Sequence, residues 1–512
     1  MSLAKSSFNT SVFTVFSKIS GFLRDIFLAA TIGTGVLSDI FFIALRIPIS
    51  FKITLGEETF NSAYIPLFGK FNHTSIRQKH YQFAKKIILF GLFISIPLIV
   101  VVEIFMPNII SIFASNMNGQ EEFNLLVKVS RIVFPYLIFI VISSVFVGTL
   151  NANHKFVLAA GLPIFLNGSL MFCIILFPFF NVDKIIILSY GVLLGGLAQS
   201  LLLFIAIDRK FWEVFFSTSK DYIDLKRFFN LLFPTFISSS ITQLNLIIGM
   251  IIASLQPAAV SYLYYAERIY LLPLTVVGVA ISTVLIPTLS NTIREGRLKT
   301  ALAFQDKAYR YCIFIILPAT FILLNFSDEI VTILYERGEF NSKSTEYTFK
   351  VLQIFILGLP AATIGKILIP YFFANEIPKI PLKANVISMI VNIFLTLILF
   401  QSIGFFAIPV AISISSWVNL ILLLHEHKKL KFFLLTRTRI IYALKYLAIS
   451  IAVSIIIIAT DLFLHNLSIG KLSGMILELS FAIFALTIMI YKFDRESYNE
   501  IKSFIFNYLT TV

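Results

Sequence analysis

The chain is 512 residues long, 58% hydrophobic and 13% charged, with a mean hydropathy of +0.90. No soluble fold buries so large an apolar fraction, and the apolar runs are continuous, without the period-two alternation of a membrane β-barrel. The formal net charge of +14 collects in connecting segments, which excludes nucleic acid as its meaning.

Fourteen apolar stretches of spanning length follow in chain order, near 8–31, 36–68, 87–114, 124–150, 155–180, 185–207, 226–254, 261–292, 301–325, 346–374, 380–400, 405–424, 440–462 and 472–491. The expected class is an all-α polytopic membrane protein. Pro48, Pro135, Pro163, Pro234, Pro273, Pro360 and Pro370 fall inside these stretches, where membrane helices tolerate them as kinks. The first stretch contains charge and no small-residue cleavage site, so no removable leader is expected. The segment 208–225, DRKFWEVFFSTSKDYIDL, is too polar to span and reads as a helix lying along the membrane surface.

The basic residues sort by loop. Lys70, Arg77, Lys79, Lys85 and Lys86 follow the second stretch, and Arg209, Lys210, Lys220, Lys226 and Arg227 the sixth. Arg294, Arg297, Lys299, Lys307 and Arg310 follow the eighth, and Lys428, Lys429, Lys431, Arg437 and Arg439 the twelfth. Alternate connections such as TGTG, LQPAAV and QSIGF are bare of charge. This asymmetry puts both termini in the cytoplasm.

Three matches suggest an internal repeat. Ala44–Leu45–Arg46 parallels Ala266–Glu267–Arg268, Ile65–Pro66 parallels Ile286–Pro287, and Ala152–Asn153 parallels Ala374–Asn375, at offsets of 221 or 222. Stretches 1–6 then correspond to stretches 7–12 in the same orientation, about an axis along the membrane normal, with a substrate path between the lobes. The last two stretches fall outside the repeat.

Charges inside spanning stretches are costly and mark pairs or wet cavities. Lys18, Arg24, Asp25, Asp39, Arg46, Lys52, Glu57 and Glu58 crowd the first two stretches, with Glu267, Arg268 and Lys366 further on. Asp39, Arg46 and Glu57 would share one face of the second stretch, and Lys18 and Asp25 lie seven apart on the first. Structural ion pairs and snorkelling ends are the plain reading of such residues. A hydrated, base-lined chamber for a large anion is the sharper one, since the planar fork of arginine matches adjacent phosphate oxygens. Cys173 and Cys312 lie in apolar runs and read as packing residues. The histidines are scattered, and His425 and His427 are poorly spaced for one metal. No metal or cofactor is expected.

SKISGFLRD (17–25), DIFFIALRIP (39–48) and GEETFNSAYIPLF (56–68) resemble the MurJ/MviN lipid II flippases, members of the multidrug/oligosaccharidyl-lipid/polysaccharide exporter superfamily. YYAER (264–268), LIPTLS (285–290) and LYERGEF (334–340) extend the resemblance over essentially the whole chain. It implies two six-helix lobes around a cationic cavity and two further helices forming a groove for a lipid tail. It implies transfer of undecaprenyl-diphosphate-linked MurNAc-pentapeptide-GlcNAc across the bacterial inner membrane for peptidoglycan synthesis, with membrane lipids and the cell-wall synthesis machinery as surroundings and no enzymatic step. On this resemblance Lys18, Arg24, Arg46, Lys52 and Arg268 are the cationic cavity residues, Asp25, Asp39, Glu57 and Glu267 their acidic partners, and Lys445 the basic residue near the tail groove. Lys18 and Lys52 replace arginines usual in the family, Glu267 replaces an aspartate, and Glu58 replaces a glycine. Where some members offer carboxylates to sodium, this chain has Gln243, Asn245, Asn385 and Asn392.

The expected organisation is a first lobe at 1–207, the surface segment 208–225, a second lobe at 226–424, a basic loop at 425–439, the tail groove at 440–491 and a cytoplasmic tail at 492–512. The nearest rival is a polysaccharide-lipid or multidrug exporter of the same superfamily, and a drug exporter would favour a cavity richer in acids than this one. A polyprenyl-using enzyme would want clustered acids or a placed base at the water interface. A scaffold without transport is a third reading.

Overall fold

The computed structural model describes residues 3–55, 57–72, 79–114, 119–179, 182–217, 225–430, 432, 436–465, 471–495 and 499. Every regular element among them is helical. The chain divides into two compact units, Met1–Tyr264 with Arg337–Ser344, and Tyr265–Glu336 with Thr345–Val512.

The first unit holds α1 (Leu3–Ile32), α2 (Val36–Leu55), α3 (Glu57–Asn72), α4 (Lys79–Ile104), α5 (Met106–Phe113), α6 (Gln120–Val133), α7 (Tyr136–Ala152), α8 (Phe156–Leu176), α9 (Lys184–Ala206), α10 (Arg209–Phe216), α11 (Lys226–Ala253) and the start of α12 (Ala259–Pro273). Helix α8 packs between α1 and α9. A side chain at Gly195 would come within 2.5 Å of Ser169 Oγ and 2.9 Å of the Leu166 backbone, so a missing side chain sets the α8–α9 distance. Close approach through small residues is the usual basis of helix association in lipid, where burial of apolar surface gives little drive. Aromatic rings fill the space between α3, α4 and α7. Tyr64 stacks on Phe60, Phe68 and Phe83, and its hydroxyl meets that of Thr149 at 2.7 Å.

The second unit holds the rest of α12, then α13 (Ala280–Arg294), α14 (Leu298–Asn325), α15 (Ser327–Tyr335), α16 (Ser342–Ala374, from Thr345 onward), α17 (Lys379–Ile403), α18 (Ala407–Lys429), α19 (Arg437–His465) and α20 (Lys471–Phe493). Helices α17 and α18 form a hairpin through the short turn Gly404–Phe406, where Gly404 takes a left-handed φ of 59°. Helix α18 meets α16 closely. A side chain on Gly358 would lie 2.8 Å from Ser413 Cα, Ser413 Oγ donates to Ile354 O at 2.6 Å, and Trp417 Nε1 donates to Leu357 O at 3.0 Å. Helix α19 packs on α14 and α20.

Eleven helical stretches among the described residues are long and apolar enough to cross a membrane, the hairpin Lys379–Lys429 counting as one. Neither α1 nor α2 is among them, because of their interior charges, Lys18, Arg24 and Asp25 in α1 and Asp39, Arg46 and Lys52 in α2. Several expected single stretches are broken. The stretch 36–68 is two helices, α2 and α3, so the face assigned to Asp39, Arg46 and Glu57 does not exist on one helix. The stretch 87–114 divides at Phe105 because α5 begins anew with Pro107 in its first turn, where a missing N–H costs nothing. Between α12 and α13, Pro273 opens a π-helical segment, Leu274–Val279, and Thr275 Oγ1 donates to Leu271 O at 2.6 Å. Of the surface segment 208–225, residues 209–216 form α10, capped by Asp208, whose carboxylate accepts from Lys210 N at 3.0 Å. Residues 218–224 lie outside the described residues. Phe211 of α10 is fully buried and packs edge-on against Tyr81 and Phe146.

Candidate functional site

The first unit gathers two of the expected charges of α1, Arg24 and Asp25, into one polar network. Arg24 and Asp25 are adjacent in sequence, so their side chains leave the helix about 100° apart. They still pair, because the long arginine folds across. Arg24 Nη2 lies 2.6 Å and Nε 3.1 Å from Asp25 Oδ1. Arg24 Nη1 donates to Asn167 Oδ1 of α8 at 2.9 Å, and Nη2 also reaches Tyr264 Oη of α12 at 3.3 Å. Tyr264 in turn donates to Asp25 Oδ1 at 3.0 Å, and Asn167 Nδ2 donates to Ser20 Oγ at 2.9 Å. The side chains of Arg24 and Asp25 are 12% and 3% exposed. The guanidinium is therefore turned into protein, where it pairs with Asp25.

A second polar contact joins α2 to α12. Asp39 is buried, and its Oδ1 accepts from Ser261 N in the first turn of α12 at 2.8 Å. That turn presents free N–H groups and the positive end of the helix dipole, which suits a carboxylate. The reverse bond is also present, since Gly35 N, just before α2, donates to Ser261 Oγ at 3.3 Å. One turn further on, Phe42 and Tyr264 stack with ring centres 3.8 Å apart. Each helix start is thus capped by a side chain of the other.

The remaining sequence candidates fall in different surroundings. Lys18 is exposed on α1 and Asp25 is buried, so their seven-residue spacing does not bring them together. Arg46 is half-buried on α2, and its Nε is enclosed without a hydrogen-bond partner in the protein. Gln243 Oε1 and Asn245 Oδ1, on α11, which packs against α2, are in the same condition. Such atoms want water or a polar ligand. Lys52 is half-buried near the end of α2. Glu57 lies in α3, but its side chain is outside the described residues. Glu267 and Arg268 are half-buried on the part of α12 that belongs to the second unit.

In the second unit, Lys445 of α19 lies 3.6 Å from Asp494 Oδ2, which also accepts from the buried Tyr446 hydroxyl at 2.9 Å. Asp306 of α14 receives Arg439 Nε at 2.6 Å and Arg310 Nε at 3.1 Å, tying the start of α19 to α14. His427 is buried, with Nε2 3.1 Å from Leu368 O. Cys173 and Cys312 are buried free thiols. No group of three or more metal-ligating side chains occurs among the described residues. Sequence reasoning missed Asn167, Tyr264, Ser261 and Asp306. Tyr264 lay inside a quoted motif, and Ser261 stands at the repeat offset of 222 from Asp39.

The family model described as "Lipid II flippase MurJ" matches residues 28–489. A probable lipid II flippase MurJ of Rhizobium meliloti (strain 1021) is 36% identical over 430 residues, covering 83% of this chain and 80% of that one. Among solved structures, one of a lipid II flippase MurJ in an inward closed conformation superposes with a TM-score of 0.81 at 26% identity, covering 95% of this chain and 99% of that one. An inward-facing multidrug MATE transporter of the MOP superfamily shares the fold, with a TM-score of 0.64 at 15% identity over 81% of this chain and 94% of that one. With a family model matched over residues 28–489 and a relative 36% identical over most of both chains, the chain belongs to the lipid II flippase MurJ family.

Proposed function

We propose that the protein moves lipid II, undecaprenyl-diphosphate-linked MurNAc-pentapeptide-GlcNAc, from the cytoplasmic to the periplasmic leaflet by alternating access. The observation that carries this reading is the family match over residues 28–489. The chemistry of α1 supports it. A diphosphate head group needs replacements for its lost water, and Arg24 offers a planar fork already oriented by Asn167 and Tyr264. Asp25 holds that fork until an incoming phosphate takes its place as the acceptor. Arg46 Nε of α2 is a further unspent donor for phosphate, and Gln243 Oε1 and Asn245 Oδ1 of α11 are unspent acceptors, suited to sugar hydroxyls or peptide N–H groups.

The finer architecture we propose has fourteen spans, two six-helix lobes related by a two-fold along the membrane normal, and α19 and α20 as the tail groove with Lys445 at its basic end. Both termini lie in the cytoplasm, as the positive-inside asymmetry requires. The two-fold is supported by Asp39–Ser261 and Phe42–Tyr264, since both touching pairs are separated by the repeat offset of 222. Residues equivalent under a two-fold meet only near its axis. Lys18, Arg24, Arg46, Lys52 and Arg268 are the proposed phosphate-facing cations, with Asp25, Asp39, Glu57 and Glu267 as their partners. The test is translocation of labelled lipid II by the purified protein in vesicles, beside a cationic drug and an unrelated polyprenyl glycan. Movement of lipid II alone supports the reading; movement of the drug in its place refutes it.

A further inference from the structure

The motif LYERGEF has no part in the network around Arg24, yet its second half belongs to the first unit. Residues Arg337–Ser344 comprise the short loop after α15 and the first residues of α16, and both of their chain connections lead into the second unit. The base of this loop is pinched by Thr345 Oγ1 donating to Glu336 Oε2 at 2.7 Å. Compact loops with ends so close are held by their own contacts and move as one piece.

The tip of the loop supplies what the end of α1 lacks. The last carbonyls of a helix have no partner within it. Here Ala30 O accepts from Glu339 N at 3.0 Å, and Thr31 O from Lys184 Nζ at 3.2 Å. The same Lys184 Nζ binds Glu339 Oε1 at 2.8 Å, so one ammonium joins α1, α9 and the loop. The Thr34 and Ser344 hydroxyls share a hydrogen bond at 2.5 Å. Two left-handed glycines permit the contact. Gly33, with φ of 58°, has no room for a side chain against the Glu339 backbone, and Gly338, with φ of 59°, has none against that of Ala30.

The geometry points to Arg337–Ser344 as a releasable strap. It clamps the C-terminal turn of α1, and with it the axial position of Arg24, and it must let go once in every transport cycle. The bonds are of a kind suited to release. The contacts named above are hydrogen bonds and one partly exposed ion pair, with the Glu339 side chain 60% exposed, while Phe340 of the same loop is buried. Because the loop is anchored in the second unit, a rearrangement of that unit either drags α1 along or breaks this clasp. The inference deepens the flippase reading and rests on it.

The test is the full-length chain carrying Thr34→Cys and Ser344→Cys, whose hydroxyl positions are close enough for the new thiols to join; the native cysteines are buried. Oxidised, the variant is expected to move lipid II in vesicles about tenfold slower than after reduction, because the locked step gates turnover. Amide exchange over residues 30–34 and 337–344 should also slow about tenfold on oxidation. Equal lipid II transport by the oxidised and reduced forms overturns the strap, and so does equal exchange. If the reduced variant and the unmodified chain both move no lipid II, the flippase reading fails, and exchange alone then decides whether the strap opens.

Discussion

At the scale of single residues, the network of α1 is built on the fork of one arginine. Arg24 uses Nε, Nη1 and Nη2 on Asp25, Asn167 and Tyr264 at once. Arg24→Lys keeps the charge and loses that geometry, so lipid II transport should fall roughly tenfold or more, while Arg24→Ala should abolish it. Both variants should reach the membrane in normal amounts, as membrane-fraction immunoblots can establish. Normal transport by Arg24→Lys would show that a point charge suffices. The mutual cap at Asp39 and Ser261 gives a second prediction. Asp39→Ser removes a carboxylate from a helix start, worth about 1 kcal/mol, and should speed exchange of the Ser261 amide about fivefold. Adding Ser261→Asp moves the carboxylate to the other side of a near-symmetric contact, where Gly35 N can donate to it. The double variant should slow exchange of the Gly35 amide about fivefold relative to Asp39→Ser alone, and failure to do so would mean that the two sides are not equivalent.

The sequence made the charged positions of this site legible but not their partners. Lys18, Arg24, Asp25, Asp39 and Arg46 stand out because hydrocarbon penalises charge. Asn167 and Tyr264 are 143 and 240 residues from Arg24, and nothing in their composition distinguishes them from other polar residues in apolar helices.

At the scale of elements, hydropathy located the long helices, because length and apolarity are all that a bilayer demands. It missed the break between α2 and α3, that between α4 and α5, and the π segment after Pro273, which follow from local backbone chemistry that an averaging window smooths away. Glycine contacts are also silent in such a window, yet they set the helix spacing. Gly195→Val would push a branched side chain into Leu166 and Ser169, and Gly358→Val into the Ser413 backbone. Each should destabilise its own unit by about 1–3 kcal/mol, the usual effect of overpacking. Thermal unfolding in detergent should show a lowered midpoint for both, and an unchanged midpoint would mean that the helices part without cost.

At the scale of the whole molecule, the five cations and four acids we propose for the transport path leave a net positive charge, which would couple turnover to voltage. Moving one elementary charge through 100 mV is worth about 2.3 kcal/mol. If the empty, positively charged site resets toward a negative interior, collapsing the potential at constant pH should slow lipid II transport in vesicles several-fold. An unchanged rate would leave the reset step independent of the field.

The paired caps of α2 and α12 carry one last implication. Were the two halves of the chain identical, as in a dimer of six-helix subunits, this spot would set like against like, aspartate facing aspartate or serine facing serine. Two carboxylates there would repel, and two hydroxyls would bind weakly. On the proposed two-fold, joining the halves in one polypeptide frees each side to specialise, one supplying the anion and the other receiving it, so this contact arises where the repeats have ceased to match.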